Sequence, residues 1–127
     1  MFSKAKLQTI ILTSRISEAE TFYREVLALE LKTESDGALV FDVGGADLLV
    51  SPVPTTQPTE HTVIGFAVTD VDKAVEFLRA KRIQMEQFPG FPHRPNGVLK
   101  TPDGSRVAWF RDPDGNLLSV VQYADTK

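Results

Sequence analysis

Few residues in this chain have side chains suited to catalysis, and their spacing matches no familiar catalytic arrangement. The 127 residues include two histidines and no cysteine, which excludes a disulfide, a thiolate metal site and a cysteine nucleophile. Neither His61 nor His93 combines with a serine and an acid at a strand–turn–helix junction, and no glycine-rich loop is suited to hold a phosphate. A hydrolase therefore has no support, and neither acid–base nor nucleophilic catalysis is indicated.

Three other side chains are suited to binding or covering a ligand. Trp109 can stack on a flat molecule, or it can belong to the core or to a dimer interface. Arg111 can bind a carboxylate or a phosphate, or it can form a salt bridge with Asp112 or Asp114. His93, in the proline-rich loop of residues 88–95, is expected to be exposed, with a lid over a site as the alternative.

An internal repeat indicates which elements would position these side chains. Shifting the sequence by about 55 residues aligns Phe22 with Phe77, and in both segments a short apolar run is followed by apolar residues at helical spacing. The runs Leu7–Leu12 and Val63–Val68 are typical of buried strands. Ser17 with Glu20, or Ser14, is predicted to cap the first helix, and Asp70 or Asp72 the second.

Short strands separated by turns are predicted after each helix. A shift of about 70 residues aligns these strands, so the second copy contains about 15 additional residues in or near the segment 88–101. The sequence therefore predicts an α+β fold, with one domain over residues 1–127 and two βαβββ modules at residues 5–52 and 61–123. Residues 53–60, rich in proline and threonine, form the predicted linker. The strands are predicted at Ala38–Val43, Ala46–Ser51, Ser105–Arg111 and Leu117–Tyr123.

Composition and charge narrow the classes of partner. The apolar fraction of 42% and the charged fraction of 24% are those of an ordinary globular protein. A net charge of −3 gives no basic surface for nucleic acid and no polybasic segment for a membrane surface. No apolar run is long enough to cross a bilayer, and Met1–Ile10 lacks the apolar core of a signal peptide. A cytoplasmic location is therefore expected.

Three features together resemble one superfamily. Phe22-Tyr23 on the first helix, Arg111–Asn116 before the last strand and the internal repeat are similar to the vicinal-oxygen-chelate superfamily. This superfamily includes glyoxalase I, extradiol dioxygenases and the bleomycin- and fosfomycin-resistance proteins. The resemblance extends over essentially the whole chain and implies a curved mixed sheet around a cleft, often in a homodimer. It does not specify the reaction, because one fold hosts many sites.

The resemblance also implies where a metal ion would bind. Metal-using members place His, Gln or Glu at four points, and these fall on Gln8, Val63, Ser119 and Leu49 in this chain. Of these only the Gln8 side chain could coordinate a metal, so no metal cofactor is expected. The alternative is a divalent metal bound by Gln8 and His61, because His61 lies two residues before Val63 and a bulge or a shift in register would bring it to the site.

Strand alternation then predicts the face that lines the cleft. The face is mostly apolar, and the small residues Gly65 and Ala67 leave room for a ligand. Asp47 is the one carboxylate on this face and is expected to be solvated. The predicted lining residues are Gln8, Ile10, Leu12, Leu39, Phe41, Leu49, Ser51, Val63, Gly65, Ala67, Val107, Trp109, Arg111, Leu117, Ser119 and Val121.

The leading hypothesis is a metal-independent protein that sequesters a flat or amphipathic small molecule, as in the bleomycin-resistance branch. The alternative is a metal-dependent lyase, isomerase or dioxygenase of the glyoxalase type. A third possibility is a homologue without activity that acts as a regulatory or interaction module. A homodimer is expected in each case, with or without exchange of modules between chains.

Overall fold

The computed structural model describes residues 1–124, and the chain divides into two compact units between Gln57 and Pro58. This boundary lies inside the predicted linker. We refer to residues 1–57 as the first unit and to the residues from Pro58 onward as the second unit. The first unit contains β1 (Gln8–Thr13), α1 (Ile16–Thr21), β2 (Glu30–Ser35), β3 (Ala38–Val43) and β4 (Ala46–Pro52). The second contains β5 (Thr62–Ala67), α2 (Val71–Ala80), β6 (Leu99–Lys100), β7 (Arg106–Arg111) and β8 (Leu117–Gln122).

Each unit has a four-stranded mixed sheet with the same topology. The strand order is β1-β4-β3-β2 in the first unit and β5-β8-β7-β6 in the second. The pairs β1–β4 and β5–β8 are parallel, and the remaining pairs are antiparallel. The predicted α+β fold with two βαβββ modules is thereby confirmed. In the described part of the chain, no helix is long and apolar enough to cross a membrane.

The core of the first unit lies between its sheet and the helical segment that begins with α1. A π-helical turn, Phe22–Val26, continues α1 and buries Tyr23, whose ring lies 6.1 Å from the ring of Phe41, centroid to centroid. Phe41 and Leu39 are 0% and 2% exposed. The prediction that these two residues lie on the cleft face is therefore wrong. They lie on the helix-packed face.

The register of the sheet explains this error. Leu49 of β4 is paired with Ile10 of β1 on one side and with Val40 of β3 on the other. Paired residues on neighbouring strands share a face. Val40, rather than Leu39 or Phe41, is thus the residue of β3 that shares a face with Leu49.

The core of the second unit forms between α2 and the central strands β7 and β8. The helix contributes one stripe of side chains at helical spacing. The sheet contributes every second residue of β7 and β8, because side chains alternate between its two faces. The residues buried between the helix and this sheet face are Val71, Val75 and Leu78 on the helix and Ala108, Phe110, Leu118 and Val120 on the sheet.

The two helices begin differently. The side chain of Asp70 accepts a hydrogen bond from the backbone N–H of Lys73 over 3.1 Å, which confirms one of the two predicted caps of α2. The predicted capping by Ser17 or Ser14 is wrong, because α1 begins at Ile16 with Arg15 in the cap position and no side-chain cap bond. The hydroxyl of Thr13 accepts a bond from the Arg15 N–H instead, over 2.9 Å.

Candidate functional site

The second unit contains a cavity of about 630 Å³. Cavities of roughly 300–1,000 Å³ are typical of sites for small organic molecules. The cavity lies on the sheet face whose residues alternate with the buried Ala108, Phe110 and Leu118. Its lining residues are Thr62, Gly65, Ala67, Thr101, Pro102, Asp103, Ser105, Val107, Trp109, Ser119, Val121 and Tyr123.

Cross-strand neighbours on three strands form the floor of the cavity. Ser119 of β8 is paired with Gly65 of β5 and with Trp109 of β7. Val121, two residues further along β8 and on the same face, is paired with Ala67 of β5 and Val107 of β7. At Gly65 a Cβ atom would lie 3.2 Å from the Ser119 hydroxyl oxygen, so the absence of a side chain there keeps the space above Ser119 open.

The indole ring of Trp109 is held in place on several sides. Its N–H donates a hydrogen bond to the Thr62 hydroxyl over 3.1 Å. The rings of Phe88 and His93 meet the indole edge to face, with centroids 5.2 and 6.0 Å away. A ring fixed in this way presents a preformed aromatic surface to a ligand, so little conformational entropy is lost on binding.

His93 holds the loop that packs against Trp109. Its Nε2 accepts a hydrogen bond from the backbone N–H of Phe88 over 3.1 Å, and its Nδ1 lies 2.8 Å from the carbonyl oxygen of Gly97. Both bonds form only in the neutral tautomer that carries its proton on Nδ1. The expectation of an exposed loop histidine is therefore wrong, since His93 is half-buried and bonded at both nitrogens.

The rim of the cavity includes a turn that strand alternation did not identify. Residues 101–105 reverse the chain between β6 and β7, and the backbone N–H of Gly104 bonds to the carbonyl of Thr101 over 2.9 Å. Asp103 accepts bonds from the Thr101 hydroxyl and from the Ser105 N–H. The Thr101 hydroxyl bond, followed by the bonds from Ser105, lowers the pKa of the Asp103 carboxyl below its ordinary value of 3.8.

Six of the residues predicted to line the cleft do line this cavity: Gly65, Ala67, Val107, Trp109, Ser119 and Val121. Their role in ligand binding stays a prediction.

Val63 is not among the lining residues. The pairing of β5 with β8 shifts between Thr62 and Ile64, and this bulge places Thr62 rather than Val63 at the cavity.

Arg111 lies outside the cavity and is committed to other contacts. Its Nη1 donates to the carbonyl oxygens of Thr59 and Gly115 over 2.7 and 2.6 Å. Its Nε lies 3.5 Å from a carboxylate oxygen of Glu86, which is the ion-pair partner in place of the predicted Asp112 or Asp114. The guanidinium thus fixes the chain before β5 against the turn before β8.

The predicted cleft residues of β1 and β4 form a partly exposed sheet face on the first unit. Leu117 of β8, also predicted to line the cleft, is buried and does not line the cavity. Gln8, Ile10 and Leu12 alternate along β1, and Ile10 and Leu12 are 60% and 47% exposed. Asp47, next to Gln8 in the parallel pair, forms ion pairs with Lys6 and Lys32 at N···O distances of 3.2 and 2.8 Å. The Lys32 and Lys6 bonds lower the pKa of Asp47, and the Asp47 bond raises the pKa of Lys32.

The side chains at the four positions where the resemblance implies a metal site do not fit a divalent ion. Leu49 and Val63 offer only hydrocarbon, Ser119 offers a neutral hydroxyl, and Gln8 offers a single amide oxygen. His61 is exposed just before β5. Within residues 1–124, no three His, Cys, Asp or Glu side chains come together in a way that could hold a metal ion.

Solved structures with the same fold include a lyase and a fosfomycin resistance protein. Lactoylglutathione lyase from Agrobacterium tumefaciens is 23% identical, with 94% of this chain and 93% of that chain covered and a TM-score of 0.73. The fosfomycin resistance protein FosX from Listeria monocytogenes is 16% identical, with 95% and 94% covered and a TM-score of 0.73. A glyoxalase family protein from Enterococcus faecalis is 20% identical, with 96% and 100% covered and a TM-score of 0.73.

Comparison with curated proteins gave no significant match. Among family models, the one for the glyoxalase/bleomycin resistance protein/dioxygenase superfamily matches residues 7–120. That match extends over most of both units, including β5, β7 and the first part of β8, which form the floor of the candidate cavity. The chain therefore belongs to the glyoxalase/bleomycin resistance protein/dioxygenase superfamily.

Proposed function

We propose that this protein binds a flat or amphipathic small molecule in the cavity of the second unit and does so without a metal ion. The observation that carries the proposal is the cavity itself, which combines an apolar floor with the fixed ring of Trp109. Most of its lining surface is apolar, and polar groups make up the smaller part, which is the usual composition of a small-molecule site.

The chemistry of the lining residues supports binding rather than catalysis. The lining set contains hydroxyl groups, one carboxylate and two aromatic rings, and it lacks histidine, lysine and cysteine. A nucleophile of the serine type needs an adjacent base, and neither Ser105 nor Ser119 has a histidine among the residues that line the cavity. Sequestration requires only shape, apolar surface and a few polar contacts.

The test is a titration of a uniformly ¹⁵N-labelled sample with two neutral aromatic probes, coumarin and 1-naphthalenemethanol. Trp109 is the only tryptophan, so its indole N–H gives a single assignable signal. We expect that signal and the amide signals of Gly65 and Ser119 to shift with a common, saturable dependence on probe concentration. Saturable shifts confined to other residues, or no shifts with either probe, would overturn the proposal.

A cavity-filling variant and a matched control locate the binding. Ala67→Leu adds a bulky side chain at a lining position, and Ala46→Leu makes the same exchange at an exposed strand position of the first unit. We expect Ala67→Leu to abolish the saturable shifts of the Trp109 signal and Ala46→Leu to leave them intact. Equal binding by both variants would contradict the proposed site.

Metal analysis distinguishes the proposal from a metal-dependent lyase, isomerase or dioxygenase. The wild-type protein and the variants Gln8→Ala and His61→Ala are purified without chelator and analysed for Ni, Zn, Mn and Fe. We expect substoichiometric metal in all three samples. Stoichiometric metal in the wild type that is lost in either variant would favour the metal-dependent enzyme.

The exposed face of the first unit supports the further proposal of a homodimer. Ile10 and Leu12 are apolar and lie side by side along one face of β1 with about half of each side chain exposed. Exposed apolar side chains on a shared face favour association. Sedimentation equilibrium on the wild type and on the double variant Ile10→Ser/Leu12→Ser is expected to show a dimer and a monomer, respectively.

A further inference from the structure

The lining residues of the cavity carry one formal charge. Eleven of the twelve are neutral at physiological pH, and the remaining one is the carboxylate of Asp103. The side chain that the sequence suggested as an anion receptor, Arg111, is outside the cavity and bonded to two carbonyl oxygens and to Glu86. The cavity is thus anionic rather than cationic in character.

The turn at the rim holds the Asp103 carboxylate in a fixed orientation. The hydrogen bonds from the Thr101 hydroxyl and the Ser105 N–H both go to its Oδ1, and the Ser105 side chain donates a further bond to the carboxylate. Because its pKa is lowered, the carboxyl stays ionised throughout the physiological range.

A second lining residue also suits a positive group. Tyr123 lines the cavity and is 67% exposed, so its ring is accessible to a ligand. The face of an aromatic ring attracts a cation through its quadrupole. A ligand with a flat apolar body and a cationic end would use the Trp109 ring, the apolar floor and the Asp103 carboxylate at the same time.

We propose that the ligand of this cavity carries an ammonium or similar cationic group, which Asp103 at the rim receives, beside a flat body that lies against Trp109. This inference rests on the proposed function and adds the chemical class of the ligand. It predicts discrimination against anionic molecules of the same shape, because a carboxylate brought next to Asp103 is repelled.

Three probes with the same naphthylmethyl body test the inference by isothermal titration calorimetry: 1-naphthylmethylammonium, 1-naphthalenemethanol and the 1-naphthaleneacetate anion. We expect the cation to bind about threefold to fivefold more tightly than the alcohol, as for a solvent-accessible ion pair, and the anion to bind most weakly. The preference for the cation should decrease as salt is raised, while the affinity for the alcohol stays constant.

Asp103→Asn removes the charge and keeps an oxygen for the bond from the Ser105 N–H. We expect this variant to bind the cation and the alcohol equally well, whereas Glu76→Gln, which removes one charge from an exposed position on α2, keeps the preference. A wild type that binds the alcohol or the anion as tightly as the cation would overturn the inference and leave the proposed function standing. Failure of all three probes to bind would overturn both.

Discussion

The side chain of Trp109 reaches across β8 and donates its indole N–H to the hydroxyl of Thr62 on β5, over 3.1 Å. The bond links the two strands that flank β8, and it fixes the ring that forms the aromatic surface of the candidate site. Thr62 stands at the cavity because of the bulge at the start of β5. The orientation of the ring thus depends on an irregularity of the neighbouring strand.

Thr62→Val tests this dependence, because valine keeps the shape of threonine and removes the hydroxyl. We expect ligands of the cavity to bind about threefold to tenfold more weakly, which corresponds to the loss of one hydrogen bond. Time-resolved fluorescence anisotropy should show faster local motion of Trp109, the single tryptophan. Thr9→Val, the same exchange on β1, should change neither measurement, and an unaltered anisotropy decay in Thr62→Val would contradict the positioning role.

The floor of the site follows from the sequence because alternation holds without interruption along β7 and β8. Once Ser119 is placed, a period of two assigns Val107, Trp109 and Val121 to its face, and the pairing with β5 adds Gly65. Each of these positions depends only on regular strand geometry.

Sequence reasoning about strand faces fails in two situations. In one, the pattern does not show which alternate residues of a strand face the cleft, and in the other, an irregularity interrupts the alternation. The segment Ala38–Val43 has apolar residues on both faces, so alternation alone does not distinguish Leu39 from Val40. At the start of β5 a bulge places Thr62 at the cavity where regular alternation would place Val63. Bulges have no clear signature in a single sequence. The rim at Asp103 lies in a turn rather than in a strand, so alternation along the strands does not assign it to the cleft.

The two hydrogen bonds of His93 give a prediction about the loop that supports Trp109. His93→Ala leaves the Phe88 N–H and the Gly97 carbonyl without their partner, and we expect the free energy of unfolding to fall by about 1–3 kcal/mol. Removal of the imidazole also exposes one edge of the indole, so the emission maximum of Trp109 should shift to longer wavelength.

Urea unfolding followed by circular dichroism measures the first effect, and steady-state fluorescence measures the second. His61→Ala provides the matched control, since His61 is an exposed histidine of the same unit. The control should resemble the wild type in both measurements. A His93→Ala variant that did the same would contradict the structural role of the imidazole.

Asp112 organises the turn before β8 with both carboxylate oxygens. Oδ1 accepts the backbone N–H groups of Asp114 and Asn116, and Oδ2 accepts the side-chain amide of Asn116 over 2.9 Å. In Asp112→Asn the remaining side-chain oxygen can still accept the two backbone N–H bonds. The new amide NH₂ group, however, faces the NH₂ group of Asn116, and neither can accept a bond from the other. We expect the free energy of unfolding to decrease by about 1.5–3 kcal/mol, the value of a hydrogen bond to a charged group.

The double variant Asp112→Asn/Asn116→Asp restores a donor and an acceptor in reversed order. It should recover at least half of the stability lost by Asp112→Asn. Asn116→Asp alone places two carboxylates together at a buried site and should be the least stable of the three. Urea unfolding of the complete cycle provides the coupling energy. Additive losses in the double variant would show that the Oδ2 bond contributes nothing to stability.

The ion pairs of Asp47 with Lys6 and Lys32 predict a pH dependence of the stability of the first unit. Because folding lowers the pKa of Asp47 below 3.8, its contribution is present above that value and is lost as the pH falls through the lowered pKa. The pKa of Lys32 is raised above 10.5, so its contribution is present below that value and is lost as the pH rises through the raised pKa.

Asp47→Asn should therefore be less stable than the wild type at neutral pH, and the two proteins should have the same stability in strong acid. The midpoints of urea unfolding between about pH 2 and about pH 8 measure the difference, with Asp36→Asn in the exposed β2–β3 turn as the charge-matched control. The Asp36→Asn midpoint should follow that of the wild type throughout. An Asp47→Asn difference of constant size down to the lowest pH would mean that the carboxylate charge is not its cause.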